Sequence, residues 1–176
     1  ISIGPVSLYT SIYPSLLVDD IVAAMNQSRA LKVYICNIMT QPGETDGFTV
    51  EDHLRALFDY SPELELDYVV VNSAAINPAL REKYLADRAV QVEFESALLR
   101  DGLSEVIEVD AAFGNRVVVV SGDLLSEHEV VRHDPHRLAR VLLDTHRIRQ
   151  AARVDFANAR QDLPEARPTR AAMDEL

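Results

Sequence analysis

Three short stretches carry residue types that could do chemistry. The first runs from Asn37 to Asp46 and reads "NIMTQPGETD". Thr40, Gln41, Glu44, Thr45 and Asp46 place hydroxyl, amide and carboxylate groups within one loop, and Gly43 and Gly47 let the backbone approach a ligand closely. Its carboxylates could bind Mg²⁺ or accept from sugar hydroxyls. The plainer alternative is a solvated loop that ends in a helix cap. The second stretch is "GPVSLYTS", Gly4 to Ser11. A turn followed by a helix start offers free N–H groups to an anion, and Ser7, Thr10 and Ser11 add hydroxyl donors. A capped helix after a turn explains the same residues. The third is "VVRHDPHRLAR", residues 130–140. Arg132, Arg137 and Arg140 suit phosphate, because a guanidinium fork makes two parallel hydrogen bonds. A capped surface helix with ordinary charges is the competing reading. His128, His133 and His136 match no standard zinc spacing. The sequence holds no nucleophile-elbow serine, no phosphate-loop lysine and no CxxC pair. Asp59, Glu63, Glu65 and Asp67 read as solvated charge.

These stretches need elements to position them. Residues 32–38 ("KVYICNI") and 66–72 ("LDYVVVN") read as strands buried on both faces. Residues 7–28 are helix-like but interrupted, with Pro14 starting a second piece or kinking the first. Thr49 is an N-cap with Asp52 three residues on, and its helix runs to about Tyr60. Asn77-Pro78 opens a further helix to about Asp87, with Pro at its first position. "VQVEF" (90–94) suggests a short strand, and "ESALLRDG" a helix. "EVIEVD" (105–110) and "RVVVVSG" (116–122), joined by "AAFGN", read as a hairpin or an antiparallel edge. Asp134 and Pro135 begin the last helix, with Leu138, Val141, Leu142 and Ile148 on one face.

Alternating strands and helices with all-apolar strands indicate an α/β fold with a mainly parallel sheet. Ligands of such sheets bind beyond the carboxyl ends of the strands. That puts Gly4–Ser11, Asn37–Thr49 and Asn72–Asn77 on one functional rim. The expected organisation is one domain over residues 1–160, followed by a flexible C-terminal tail, 161–176, with two prolines and little apolar content. The apolar residues of the opening "ISIGP" read as the end of a strand, so an N-terminal half is expected upstream.

Composition narrows the function. The 176 residues, 48% hydrophobic, suffice for a real core. A net charge of −11 argues against a broad nucleic-acid-binding face. The single cysteine, Cys36, excludes an internal disulfide and fits a reducing cytoplasm. No apolar run reaches the roughly 18 residues that a membrane span requires.

The segments "GPVSLYTSIYPSLLV", "KVYICNIMTQPGETDGFTVEDHL" and "RHDPHRLARVLL" resemble the YvcK-like gluconeogenesis factors of bacteria. These belong to the CofD-like superfamily of 2-phospho-L-lactate transferase. The resemblance implies a Rossmann-like three-layer sandwich. It sides with the regulator branch, since the transferase branch carries a different segment at "MTQPGETDG". It therefore implies a cytoplasmic regulator of gluconeogenic growth and cell shape that binds a UDP-sugar such as UDP-N-acetylglucosamine, without established catalysis. Under the resemblance Gly4–Ser11 and Asn37–Asp46 map to family segments, and Tyr84 and Arg132 match residues implicated in nucleotide-sugar binding. Val6 stands where the family usually has Gly, so this loop has a different shape or holds its ligand less closely, and Ser15 replaces a common Asn. The alternatives are a phospho-lactyl transferase of coenzyme F420 synthesis using Mg²⁺, and a non-catalytic interaction scaffold. Self-association as a homo-oligomer stays open.

Overall fold

The computed structural model describes residues 1–18, 20–94, 105–108, 116–127 and 130–161. The helix expected at 95–102, the turn at 111–115, His128 and residues 162–176 of the expected tail lie outside these residues. The chain divides into two compact units, Ile1–Val141 and Leu142–Leu176. The first unit holds every strand found among the described residues.

Its main sheet is built from β1 (Ser2–Ile3), β2 (Val33–Ile35), β3 (Tyr68–Asn72), β4 (Glu105–Glu108) and β5 (Arg116–Gly122), in the order β1-β2-β3-β5-β4. The first four in that order run parallel, and β4 closes the edge antiparallel to β5. Register follows Ser2↔Val33, Val33↔Tyr68 and Tyr68↔Val118. The fold is therefore α/β with a mainly parallel sheet, as the alternation of elements predicts. Residues 33–35 and 69–71 are wholly buried, which is why their sequence shows no polar alternation.

Helix α3 (Val50–Tyr60) shows how the sequence builds its own boundaries. Thr49 Oγ1 accepts from Asp52 N, and Asp52 Oδ2 accepts from Thr49 N at 3.0 Å, a complete capping box. Val50, Leu54, Leu57 and Phe58 recur at helical spacing and are all buried in the main core. A π-helical turn, Leu8–Ile12, leads into α1 (Tyr13–Leu16), with Pro14 in the first turn, where no intrahelical donor is lost. Helix α2 (Ile21–Gln27) follows. Asn77 caps α4 (Pro78–Ala86) by accepting from Ala79 N at 2.9 Å. Asp134 Oδ1 accepts from the His136 and Arg137 amides at the start of α5 (Pro135–Gln161), which crosses the boundary between the units.

Two expectations need correction, and one element had no counterpart in the sequence reading. Residues 90–94 form no strand. Their partner is the short 38–40 stretch, so the pairing shrinks to one bridge, Met39↔Gln91, with Val92 N donating to Ile38 O. Ile148 is exposed, because the apolar face of α5 does not extend that far. A hairpin of β6 (Leu125–Glu127) and β7 (Val131–His133) was not anticipated, since three-residue strands of mixed polarity leave no alternation to read. It packs on a small separate core in which Val131 meets Ile38, Ile76 and Leu125.

Candidate functional site

Because β1, β2 and β3 are parallel, the chain leaves all three at the same end of the sheet. There the loops after β1 and β2, with α4 and the β6–β7 hairpin, line a cleft of about 560 Å³, whereas the Asn72–Asn77 loop expected on the same rim contributes no residue to its lining. Ser7, Asn37, Thr40, Gln41, Tyr84 and Arg132 line it together with Val6 and His133. Residues separated by more than a hundred positions thus share one surface.

The first loop reaches the cleft through Gly4. Its φ is +81°, and a Cβ built there would stand 2.8 Å from the Ile35 carbonyl oxygen. Only a glycine lets the loop lie this close to the end of β2. Val6 adopts no positive φ, so its β-branched side chain is accommodated without left-handed backbone strain. It is exposed on the cleft wall, and its carbonyl accepts from Asn37 Nδ2 at 3.1 Å.

Ser7 is already committed. Its Oγ accepts from Thr10 N at 3.1 Å and from Thr10 Oγ1, and donates to Glu44 Oε2 at 2.6 Å. Ser11 N and Ile12 N both donate to Ser7 O. The Glu44 carboxylate therefore stands at the start of the π-helical turn, the place read from sequence as an anion site. Thr10 and Ser11 are exposed and, like Gly4, Glu44, Thr45 and Asp46, are not among the residues lining the cleft.

The second loop is held by its own side chains. Thr45 is fully buried, and its Oγ1 accepts from Gln41 N at 2.9 Å. Asp46 Oδ2 accepts from Gly43 N at 2.6 Å. Thr40 is buried and bonded in both directions to Val90. These residues shape the loop. Gln41 differs, since its Oε1 is buried without a hydrogen-bond partner on the cleft side of that loop. Cys36, just below the loop, is buried, and desolvation pushes its thiol up to about 12.

The far wall comes from α4 and the hairpin. The Tyr84 hydroxyl accepts from Val131 N at 3.0 Å. Next to it on β7, the Arg132 side chain is exposed and bonds to no other described side chain or backbone group, and a guanidinium at this wall suits an anion. Burial lowers the His133 pKa, partly offset by a hydrogen bond to the Cys36 backbone, so its imidazole is neutral near pH 7. Arg137 is engaged elsewhere, with Asp123 at 2.5 Å, and neither it nor Arg140 lines the cleft. Sequence reasoning missed His133 as a wall of this cleft. Its place beside Arg132 was the available signal. Val131 and Pro5 had no signal beyond lying within the stretches singled out. Among the described residues, no group of three or more His, Cys, Asp or Glu is arranged to hold a metal ion.

Comparison with known proteins points in one direction. Residues 1–112 match the family described as 2-phospho-L-lactate transferase CofD. The chain is 39% identical over 143 residues to the putative gluconeogenesis factor of Thermoanaerobacterium thermosulfurigenes, covering 81% of this chain and 40% of that protein. It is 40% identical over 144 residues to the gluconeogenesis factor of Bacillus subtilis, covering 82% and 42%. The crystal structure of protein BH3568 from Bacillus halodurans superposes with a TM-score of 0.66 at 37% identity, over 81% of this chain and 42% of that one. The chain spans about two fifths of the length of these relatives.

Proposed function

The chain belongs to the CofD family, and from that premise we propose that its cleft binds the diphosphate of a nucleotide sugar. The protein that carries it acts in the cytoplasm as a regulator of gluconeogenic carbon use and cell shape. The observation behind this reading is that Arg132, which has no side-chain partner among the described residues, lines one cleft with Tyr84, Asn37 and Gln41 at the carboxyl end of a parallel sheet. Arg132 supplies the charge for a diphosphate, the amides supply donors and acceptors, and the tyrosine ring offers a flat apolar face. Similarity to gluconeogenesis factors supports the regulatory role. Among the described residues, no helix is long and apolar enough to cross a membrane.

The test is a titration of the full-length protein with UDP-N-acetylglucosamine, read by thermal shift and calorimetry. Binding is expected in the wild type. Arg132→Ala should weaken it about tenfold or more, the scale of losing a charge-assisted hydrogen bond. Absence of any stabilisation at millimolar ligand would refute the reading.

A second reading rests on the name of the matching family, a phospho-lactyl transferase. Such an enzyme would use Mg²⁺, an ion usually held by one or two carboxylates together with substrate phosphates. Turnover of the deazaflavin acceptor Fo with a guanosine diphosphate donor by the full-length protein would establish it over the regulatory reading.

A further inference from the structure

Among the described residues, none bonds to the exposed Arg132 side chain at the cleft. Its position depends on the backbone of β7. That backbone belongs to a two-stranded hairpin separate from the main sheet, and isolated hairpins are marginally stable. Among the described residues, two side-chain hydrogen bonds tie this hairpin to α4 and its cap. Glu127 Oε1 on β6 accepts from Asn77 N at 2.6 Å, at the cap of the helix. Tyr84 on α4 accepts from Val131 N at 3.0 Å, one residue before Arg132. The Val131 side chain packs into the small core of Ile38, Ile76 and Leu125, which also receives Leu80 from α4.

We propose that Tyr84 is a positioning residue for Arg132, acting through its phenol oxygen on the Val131 amide, and that α4 thereby sets where the ligand's anionic group is held. This deepens the diphosphate reading above and rests on it. The ring can still line the cleft, but the oxygen has a task that a stacking role alone would leave without purpose. The distinction is chemical, because phenylalanine keeps the ring and removes only the acceptor for Val131.

A double-mutant cycle on the full-length protein separates the roles, with UDP-N-acetylglucosamine as the probe. Tyr84→Phe should weaken binding about fivefold to tenfold, the scale of one lost hydrogen bond. Tyr84→Phe combined with Arg132→Ala should bind no worse than Arg132→Ala alone, since Tyr84 works through the arginine. Unchanged binding in Tyr84→Phe overturns the proposal. So does an additive loss in the double variant, which would mean that the phenol touches the ligand itself. Hydrogen exchange on the unaltered protein needs no variant to fold: the Val131 amide should be protected without ligand, and exchange at the rate of a free amide would also overturn the proposal. If Arg132→Ala binds like the wild type, the diphosphate reading fails first, and that result is distinguishable from a failure confined to Tyr84.

Discussion

Gly4 and Gly43 form a matched pair for testing how the first loop is seated. Both have φ of +81°, so alanine at either site meets the penalty of left-handed backbone. Their surroundings differ. A Cβ at Gly43 meets nothing within 4 Å, whereas one at Gly4 falls 2.8 Å from the Ile35 carbonyl oxygen. Left-handed backbone costs an L-residue about 1–2 kcal/mol, which is the whole expected effect of Gly43→Ala. At Gly4 the obstructing atom belongs to the backbone of β2, which is bonded to β3 and cannot swing aside. Overpacking of this kind adds about 1–3 kcal/mol, so Gly4→Ala should cost roughly 2–5 kcal/mol in total. For a chain of this size that lowers the melting temperature by roughly 5–15 °C, against a few degrees for Gly43→Ala. Urea denaturation of the two variants, analysed at a common slope, measures the difference. Equal losses at the two sites would show that close approach to Ile35 has no energetic weight, and the account of how the loop reaches the cleft would fall.

Two further outcomes can be checked on the same protein. Thr49→Ala removes the hydroxyl that accepts from Asp52 N and should destabilise by about 1 kcal/mol, seen as a lower urea midpoint with an unchanged slope. His53 is completely buried, and desolvation lowers its pKa, with its bond to Thr49 O and the nearby Asp52 opposing. Below its ordinary value of 6.5 the unfolded chain takes up the proton first, so stability falls as the pH drops through that value toward the lower folded one. The decline in melting temperature between about pH 7.5 and 5.5 should therefore be shallower in His53→Gln than in the wild type. An equal decline would mean that His53 is not held neutral.

Much of the scaffold was legible before any coordinates. Thr49 with Asp52, Asn77 with Pro78, and Asp134 with Pro135 announce helix starts because a cap is satisfied within three residues of itself. The apolar runs at 33–35 and 68–72 announce buried strands because a parallel strand has no solvent face. The antiparallel edge at β4 was one of the two arrangements left open. The hairpin that carries Arg132 was not legible. Strands of three residues have too little pattern, and they owe their stability to Ile38, Ile76 and α4.

The candidate residues divide along the same line. Their types could be read directly: a run of hydroxyls, amides and carboxylates after a buried strand, and an arginine ahead of a capped helix. Which of them face one another could not be read. The Glu44 carboxylate is drawn to Ser7, 37 positions away, and Tyr84 to the Val131 amide, 47 positions away. Caps and periodicity act within a turn or two of chain, so the order of residues determines them. The cleft depends on the loops after two parallel strands, helix α4 and a distant hairpin meeting at one end of a sheet, and only tertiary packing decides which side chains remain free there once the others have bonded to each other.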